Sequence, residues 1–490
     1  MADRQSAHAP RRPQFLAPAF LLPLLFVLSL PFVTTRFYAS DEIEFFSWLR
    51  SAVFDHDARF ENEYRYFYDS GVIRDPGFKE TFIDGRNEAG NAQNFAPIGT
   101  AILWAPFYAI GHLVAVTTGA PANGLSAPYI ASVAYASAVY ALLGVALTIA
   151  VVRRVVPHAL SAALLVWIGT PLVFYTYIAP GFSHACSAFA VSLFLWVWMH
   201  VRHRWTLRDA ALLGAAGALM AMVREQDVFF VAGPAVDFGH WAFLRIRAAA
   251  ATERRGNPAG HPSRSASSLR RIAAAAGVGT AVFLLVYAPQ LIAYEALNGH
   301  AGPTEKVARK MNWASPHFFQ VLFSPEHGLF LWTPLALIAV VGLLALVAGR
   351  VRGASADGRW LATMGLLMFG LQVYVSGSVE SWTVAGSFGQ RRFVAITPLL
   401  AIGLAATLTS AWSVRRMRTT SRAFCTAIIV LCVWWNLGLM AQFGLHTMNR
   451  QALSLRQNAR ATFVDLPVQG PAIVWRYLTD RSSLFGLPRH

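Results

Sequence analysis

The sequence is short of charge. Only 13% of its 490 residues are Asp, Glu, Lys or Arg, about half of the roughly one quarter that an ordinary soluble domain carries. Cysteine is scarce too. Cys186, Cys425 and Cys432 are the whole supply, and all three lie inside apolar runs, which excludes a disulfide framework and a cysteine metal cluster. Of the 41 basic residues only Lys79, Lys306 and Lys310 are lysines. No repeat relates the two halves, which counts against the duplicated plan of many transporters. What is plentiful is apolar: 55% of residues are hydrophobic and the mean hydropathy is +0.44. They form about ten runs near the ~20 residues that cross a bilayer as a helix. A soluble enzyme, a disordered tail and a secreted disulfide scaffold are excluded. The composition predicts an all-α polytopic membrane protein.

The formal charge of +16 does not point to nucleic acid, because basic residues fall mainly in short loops, where they orient a chain in a membrane. Residues 1–14 carry Arg4, Arg11 and Arg12 before the apolar run Phe15 to Thr34. That run is too long for a signal peptide and lacks a small-x-small cleavage site, so it reads as a retained span behind a cytoplasmic N-terminus. A polar outer loop, 35–94, follows. Further runs lie near 127–151, 159–177, 184–201, 208–223, 228–246, 272–298, 326–348, 359–376, 393–412 and 423–443.

The stretch 97–117 is ambiguous, being apolar but carrying Pro97, Pro106 and His112. If it lies along the outer interface or dips in and returns, cytoplasmic segments hold 22 basic and 4 acidic residues, and outer segments 19 and 20. The positive-inside rule favours that choice. It predicts about eleven transmembrane helices, with juxtamembrane helices in the large first outer loop. The transmembrane unit then covers 15–443, with a flexible basic cytoplasmic loop at 244–271. The tail 444–490 falls outside, where its six arginines and two aspartates fit poorly.

Residues 36–94 hold 12 of the 25 acids. Their opening, Ser40-Asp41-Glu42-Ile43-Glu44-Phe45-Phe46, reads as a helix start with Ser40 as N-cap and acids in the first turn. Ile43, Phe46, Leu49 and Val53 recur at helical spacing, as in a helix lying on a membrane surface. A carboxylate at that interface, Asp41 with Glu42 beside it, can act as general base on a hydroxyl. The plainer role for the same acids is capping, worth ~0.5–1 kcal/mol.

Other motifs fall on the same side in this topology. Asn94-Phe95-Ala96-Pro97-Ile98-Gly99 opens the ambiguous stretch. Gly181-Phe182-Ser183-His184 joins two runs, and an ionisable residue such as His184 at a span mouth is a site candidate. Arg224-Glu225-Gln226-Asp227 also interrupts two runs. An arginine near lipid costs ~2.5–3.5 kcal/mol on insertion scales, so a partner is expected: Glu225, Asp227 or a lipid-linked phosphate. Later come Ser324-Pro325-Glu326-His327-Gly328-Leu329-Phe330 and Glu380-Ser381-Trp382, the latter continuing to Gly389-Gln390-Arg391-Arg392. Trp382 offers a stacking face and the arginines offer bidentate bonds to phosphate, although Arg391 and Arg392 also suit a role as interfacial anchors.

In order, these motifs resemble the GT-C membrane glycosyltransferases, in particular bacterial relatives of protein O-mannosyltransferases and aminoarabinose transferases. The resemblance covers most of residues 15–412. It implies a GT-C-like fold in a bacterial inner membrane, with an active site facing the periplasm. It implies an inverting transfer of a sugar from a polyprenyl-phosphate donor to a hydroxyl or phosphate of an acceptor glycan, lipid or protein. It further implies that Asp41, with Glu42 beside it, supplies the base. Arg224 would hold the donor phosphate, with Arg391 and Arg392 as further cations. Asn94, His184, His327 and Trp382 fall in acceptor or pocket motifs. Where aminoarabinose transferases have Lys-Pro-Pro, this chain has Asn94-Phe95-Ala96-Pro97, so that lysine is missing. No cofactor is implied and ligand spacing supports no divalent cation: His56 between Asp55 and Asp57 is too local. Nucleic acid is not an expected partner. A glycan polymerase or ligase, and a transporter or flippase of lipid-linked sugars, are the alternative readings.

Overall fold

The computed structural model describes residues 18–253, 264–413, 419–480 and 484. The expected cytoplasmic segment 1–14 and the centre of the 244–271 loop lie outside the described residues. Among the described residues the chain is helical, with no strand and two isolated β-bridges, Arg86 with Ala92 and Met311 with Val379. Seven helices are long and apolar enough to cross a membrane: Gly99–Thr118, Ala127–Val152, His184–Val201, Ser265–Asn298, Gly358–Ser378, Arg391–Trp412 and Arg422–Gly444. Shorter apolar helices lie at Phe20–Phe32, Ala159–Gly169 and Pro334–Val347. Backbone polar groups in lipid must be satisfied within the segment, and helices do this. The chain is an all-α, multi-pass membrane protein.

Helix Gly99–Thr118 is one continuous helix with Pro106 inside it, so the stretch does not dip and return. Its length alone would let it cross, but its contacts tie it to the first outer loop from its start as far as His112. At its start, Trp48 Nε1 donates to the Ala96 carbonyl at 2.8 Å. Towards its end, Tyr108 and His112 pack on Phe54 of the same loop. It lies along only the first part of helix Ala127–Val152, through Trp104 with Ser137 and Tyr140 with the Leu103 carbonyl. The interfacial alternative fits these contacts.

Two sequence expectations change in the first outer loop. Helix Ser40–Arg50 begins at Ser40 with Ala39 as its extended cap, so Ser40 is not the N-cap. Nor does the helix lie on a membrane surface. Every residue from Glu42 to Leu49 is buried, with Phe46 edge-on to Phe37, Phe67 and Tyr108. Aromatic packing from both sides wins over the amphipathic pattern. The basic connector is also shorter than expected, because helices Ala232–Glu253 and Arg264–Asn298 run well into it. The tail reaches the end of the bundle that carries the first loop: Tyr477 donates to the Phe32 carbonyl at 2.8 Å and bonds Thr34.

The far end is fixed by a buried clamp. Asp237 Oδ1 accepts from Arg202 and from Trp360 Nε1, and Oδ2 accepts from Trp198 Nε1 and Arg202 Nε. Arg202 also pairs with Asp357 at 2.6 Å. Asp237, an acid inside the apolar run 228–246, is thus a satisfied tie between three helices. Removing one partner of such a pair strands the other at ~3–5 kcal/mol. Asp237→Ala is therefore expected to lower the thermal unfolding midpoint by several degrees, and an unchanged midpoint in detergent would refute the clamp.

Candidate active site

Five motif segments converge on one cavity of about 510 Å³. Asp41 sits in the first turn of helix Ser40–Arg50, with Glu44 three residues on and on the same face. Helix Leu207–Val223 stops at Arg224, whose backbone is extended (φ −152°, ψ 115°), and a 3₁₀ stretch, Glu225–Val231, takes over. That break turns Arg224, Glu225 and Gln226 to the cavity wall, with Asp227 buried behind them. His184 opens helix His184–Val201. Arg391 and Arg392 open the 3₁₀ turn Arg391–Ile396. Before them Gly389 has φ +59°, and a Cβ there would meet Pro171 at 2.6 Å, so both conformation and space call for glycine.

The arginines are held differently. Arg391 Nη1 donates to Asp41 Oδ2 at 2.6 Å, and its guanidinium lies over the Phe182 ring. Among the described residues the other Asp41 oxygen has no hydrogen-bond partner, and the side chain is 37% exposed, which leaves it open to the cavity. Arg392 donates to the Ser381 carbonyl at 2.8 Å and to Ser381 Oγ at 3.1 Å. Arg224 Nη1 meets His184 Nδ1, and the His184 ring packs on Tyr175 at 4.3 Å. Neither neighbouring acid pairs with Arg224. Glu225 Oε1 accepts from Tyr294 at 2.6 Å and Tyr287 at 3.3 Å, and Asp227 Oδ2 accepts from Ser187 at 2.6 Å. Among the described residues no carboxylate is in ion-pair reach of Arg224 or Arg392.

Lys310 adds a fourth cation to the wall, its ammonium 5.3 Å from the Phe95 ring centroid. Glu44 Oε2 accepts from the Phe95 N–H at 2.6 Å. Burial, reinforced by the charge of Asp41, raises the Glu44 carboxyl from 4.5 to about 8. The wall thus carries four basic side chains, Arg224, Arg391, Arg392 and Lys310, beside Asp41, Glu44 and Glu225.

Burial also raises Glu42 to about 8 and Glu63 to about 7. Each raised carboxyl binds protons in the fold that the unfolded chain has released. Their contribution to stability is therefore present below about pH 4.5 and is lost as pH rises through 7 to 8. The melting temperature is expected to fall across that window. Glu42→Gln, which keeps an acceptor for the backbone, is expected to flatten the slope; an identical slope in the variant would contradict the assignment.

The cavity gathers Asp41, His184, Arg224, Arg391 and Arg392. It does not gather Glu42, Asn94, His327 or Trp382. Glu42 Oε2 accepts from the Tyr38 and Ala39 N–H groups and so caps its own helix. Asn94 bonds the Glu44 carbonyl and the Ala96 N–H, fixing the strap that holds Glu44. His327 is buried flat against Trp332, and Trp382 packs on His317. Gln390 donates to the carbonyls of both His327 and Trp382, so these segments support the arginine turn from behind. Glu44, Ser381 and Lys310 were not anticipated. The three-residue spacing from Asp41 was a readable signal for Glu44, whereas nothing local marks Lys310.

Among the described residues no group of three or more His, Cys, Asp and Glu side chains is placed to hold a metal ion. No protein-family model matches the chain, and no curated protein matches it significantly. The structure is similar to a crystal structure of ArnT from Cupriavidus metallidurans in the apo state. The two share 13% sequence identity and a TM-score of 0.44, over 95% of this chain and 78% of that one. At that distance the chemistry has to be read from the side chains themselves.

Proposed function

We propose that the chain is an inverting glycosyltransferase of GT-C type, which takes a sugar from a polyprenyl-phosphate donor and passes it to an acceptor on the outer face of a bacterial inner membrane. One observation carries this reading: a carboxylate with a free oxygen shares a cavity with two arginines that have no carboxylate partner. In the reaction, Asp41 takes the proton of an acceptor hydroxyl while the acceptor oxygen bonds to the sugar's anomeric carbon. The bond from that carbon to the phosphate oxygen breaks, and its electron pair leaves on the polyprenyl phosphate. Arg224 and Arg392 meet the charge that grows there; such stabilisation is usually the largest catalytic term. Arg391 holds the base in orientation.

The same 3₁₀ stretch gives the hydrocarbon a place. Gln226 and Phe229 line the polar cavity, while Val228 and Val231 line an apolar groove of about 370 Å³ between neighbouring helices. A lipid phosphate is thus matched on both of its halves. The test uses purified protein in nanodiscs with a panel of radiolabelled polyprenyl-phosphate sugars, wild type beside Asp41→Asn. Transfer or hydrolysis by wild type alone supports the reading. Absence of both turnover and binding for every donor would move the assignment to a transporter.

A further inference from the structure

Beside the candidate active site lies a second cavity, of about 560 Å³. Its walls are the 86–93 turn of the first outer loop, the segment 304–310 with the short helix Glu305–Arg309, and Glu380. Every residue on the wall is charged or carries an amide or hydroxyl group; none is apolar. The helix stands between the two cavities, with Lys306 and Arg309 on one side and Val307 and Ala308 on the other. Lys310 lines both. The ammonium groups of Lys306 and Lys310 lie 5.5 and 5.3 Å from the ring centroid of Phe95, which is on the active-site wall. Two of the chain's three lysines therefore meet at this one partition.

Charge is unevenly answered here. Arg309 pairs with Glu305, and Arg86 lies 4.0 Å from Glu61. Among the described residues neither Lys306 nor Lys310 has a carboxylate in ion-pair reach. Thr304 is only 3% exposed and its Oγ1 has no partner, nor has Gln93 Oε1. Buried polar atoms are normally bonded, so both are suited to a ligand rich in hydroxyls. With no apolar residue on the wall, neither a lipid chain nor an apolar peptide anchor finds a hydrophobic pocket here.

We propose that this cavity is the acceptor subsite, and that the acceptor is a hydrophilic saccharide bearing an anionic group, a carboxylate or a phosphate. The anion is held at Lys306, and Lys310 guides the adjoining hydroxyl towards Asp41. The assignment rests on the glycosyltransferase reading and names its acceptor class.

The test measures binding to the full chain in nanodiscs with four probes: tri-galacturonate, glucose 6-phosphate, maltotriose and a Ser-Asp tetrapeptide. A radiolabelled polyprenyl-phosphate hexose is titrated in parallel. At least one anionic sugar is expected to bind about tenfold or more tightly than maltotriose, since hydrogen bonds to charged groups contribute ~1.5–3 kcal/mol. The better of the two names the group as carboxylate or phosphate. Lys306 is exposed, so Lys306→Glu should fold; it is expected to lose that preference, and Lys306→Arg to restore it, with donor binding unchanged. Equal binding of maltotriose or the peptide overturns the proposal, as does an anionic preference that survives Lys306→Glu. Donor binding without anionic-sugar binding overturns the acceptor subsite and leaves the transferase reading standing. Anionic-sugar binding without donor binding removes the transferase reading, and with it the acceptor role, leaving a saccharide site.

Discussion

Asp41→Asn is expected to abolish sugar transfer, with turnover falling ~10²–10⁴-fold, the usual worth of a positioned base. The substitution is nearly isosteric. Asparagine keeps a carbonyl oxygen that can accept from Arg391, so the arginine turn has no reason to move. What it loses is the capacity to take a proton from the acceptor. The thermal midpoint and donor affinity should therefore stay near wild type while single-turnover transfer of radiolabelled sugar collapses. Glu44→Gln provides the contrast. Glu44 is tied by its carboxylate to the Phe95 N–H, so its loss should cost far less. Normal turnover in purified Asp41→Asn would remove Asp41 as the base.

Arg224→Ala is expected to strike the donor rather than the proton. Removing one preorganised group that meets developing charge costs ~10²–10³ in rate, and the ground-state affinity for the lipid phosphate should weaken as well. The variant is informative because Arg224 has no carboxylate partner among the described residues; its contact is His184 Nδ1. Asp227 is buried beside Arg224 without pairing with it, so donor binding is read together with the thermal midpoint, and a drop at an unchanged midpoint reports on phosphate. Arg392→Ala should behave alike, since its partners are both on Ser381. Arg391→Ala is different, because it frees Asp41 and confounds base with cation. Unchanged donor affinity and rate in both Arg224→Ala and Arg392→Ala would sink the phosphate reading.

Composition was enough to read an all-α membrane chain, because bilayer thickness sets the length of apolar runs. Several site residues were legible for a related reason. An arginine or histidine at the mouth of an apolar run is a site candidate, and Arg224, His184 and Arg391 line one cavity. The misreadings came from features that depend on the third dimension. Helix Ser40–Arg50 has an amphipathic spacing, yet aromatic rings from Phe37, Phe67 and Tyr108 close over the face expected to meet the membrane. Lys310 lies far along the chain from Asp41, and long-range backbone pairing of its strap with 377–380, including the β-bridge of Met311 with Val379, brings it to the site. Gly99–Thr118 has the length of a span, and only its side-chain partners reveal that the first loop packs along it as far as His112.

The burial of residues Glu42 to Leu49 has a mechanical consequence. A helix packed on all sides cannot slide or roll without opening voids, and close-packed interiors resist that. Asp41 is thus anchored at the head of a stiff rod, further braced by Arg391. If Asp41 is the base we propose, it has little freedom to reach for its proton: the two substrates would be the travelling parts, and the precision of the encounter would depend on how each is delivered to a fixed point.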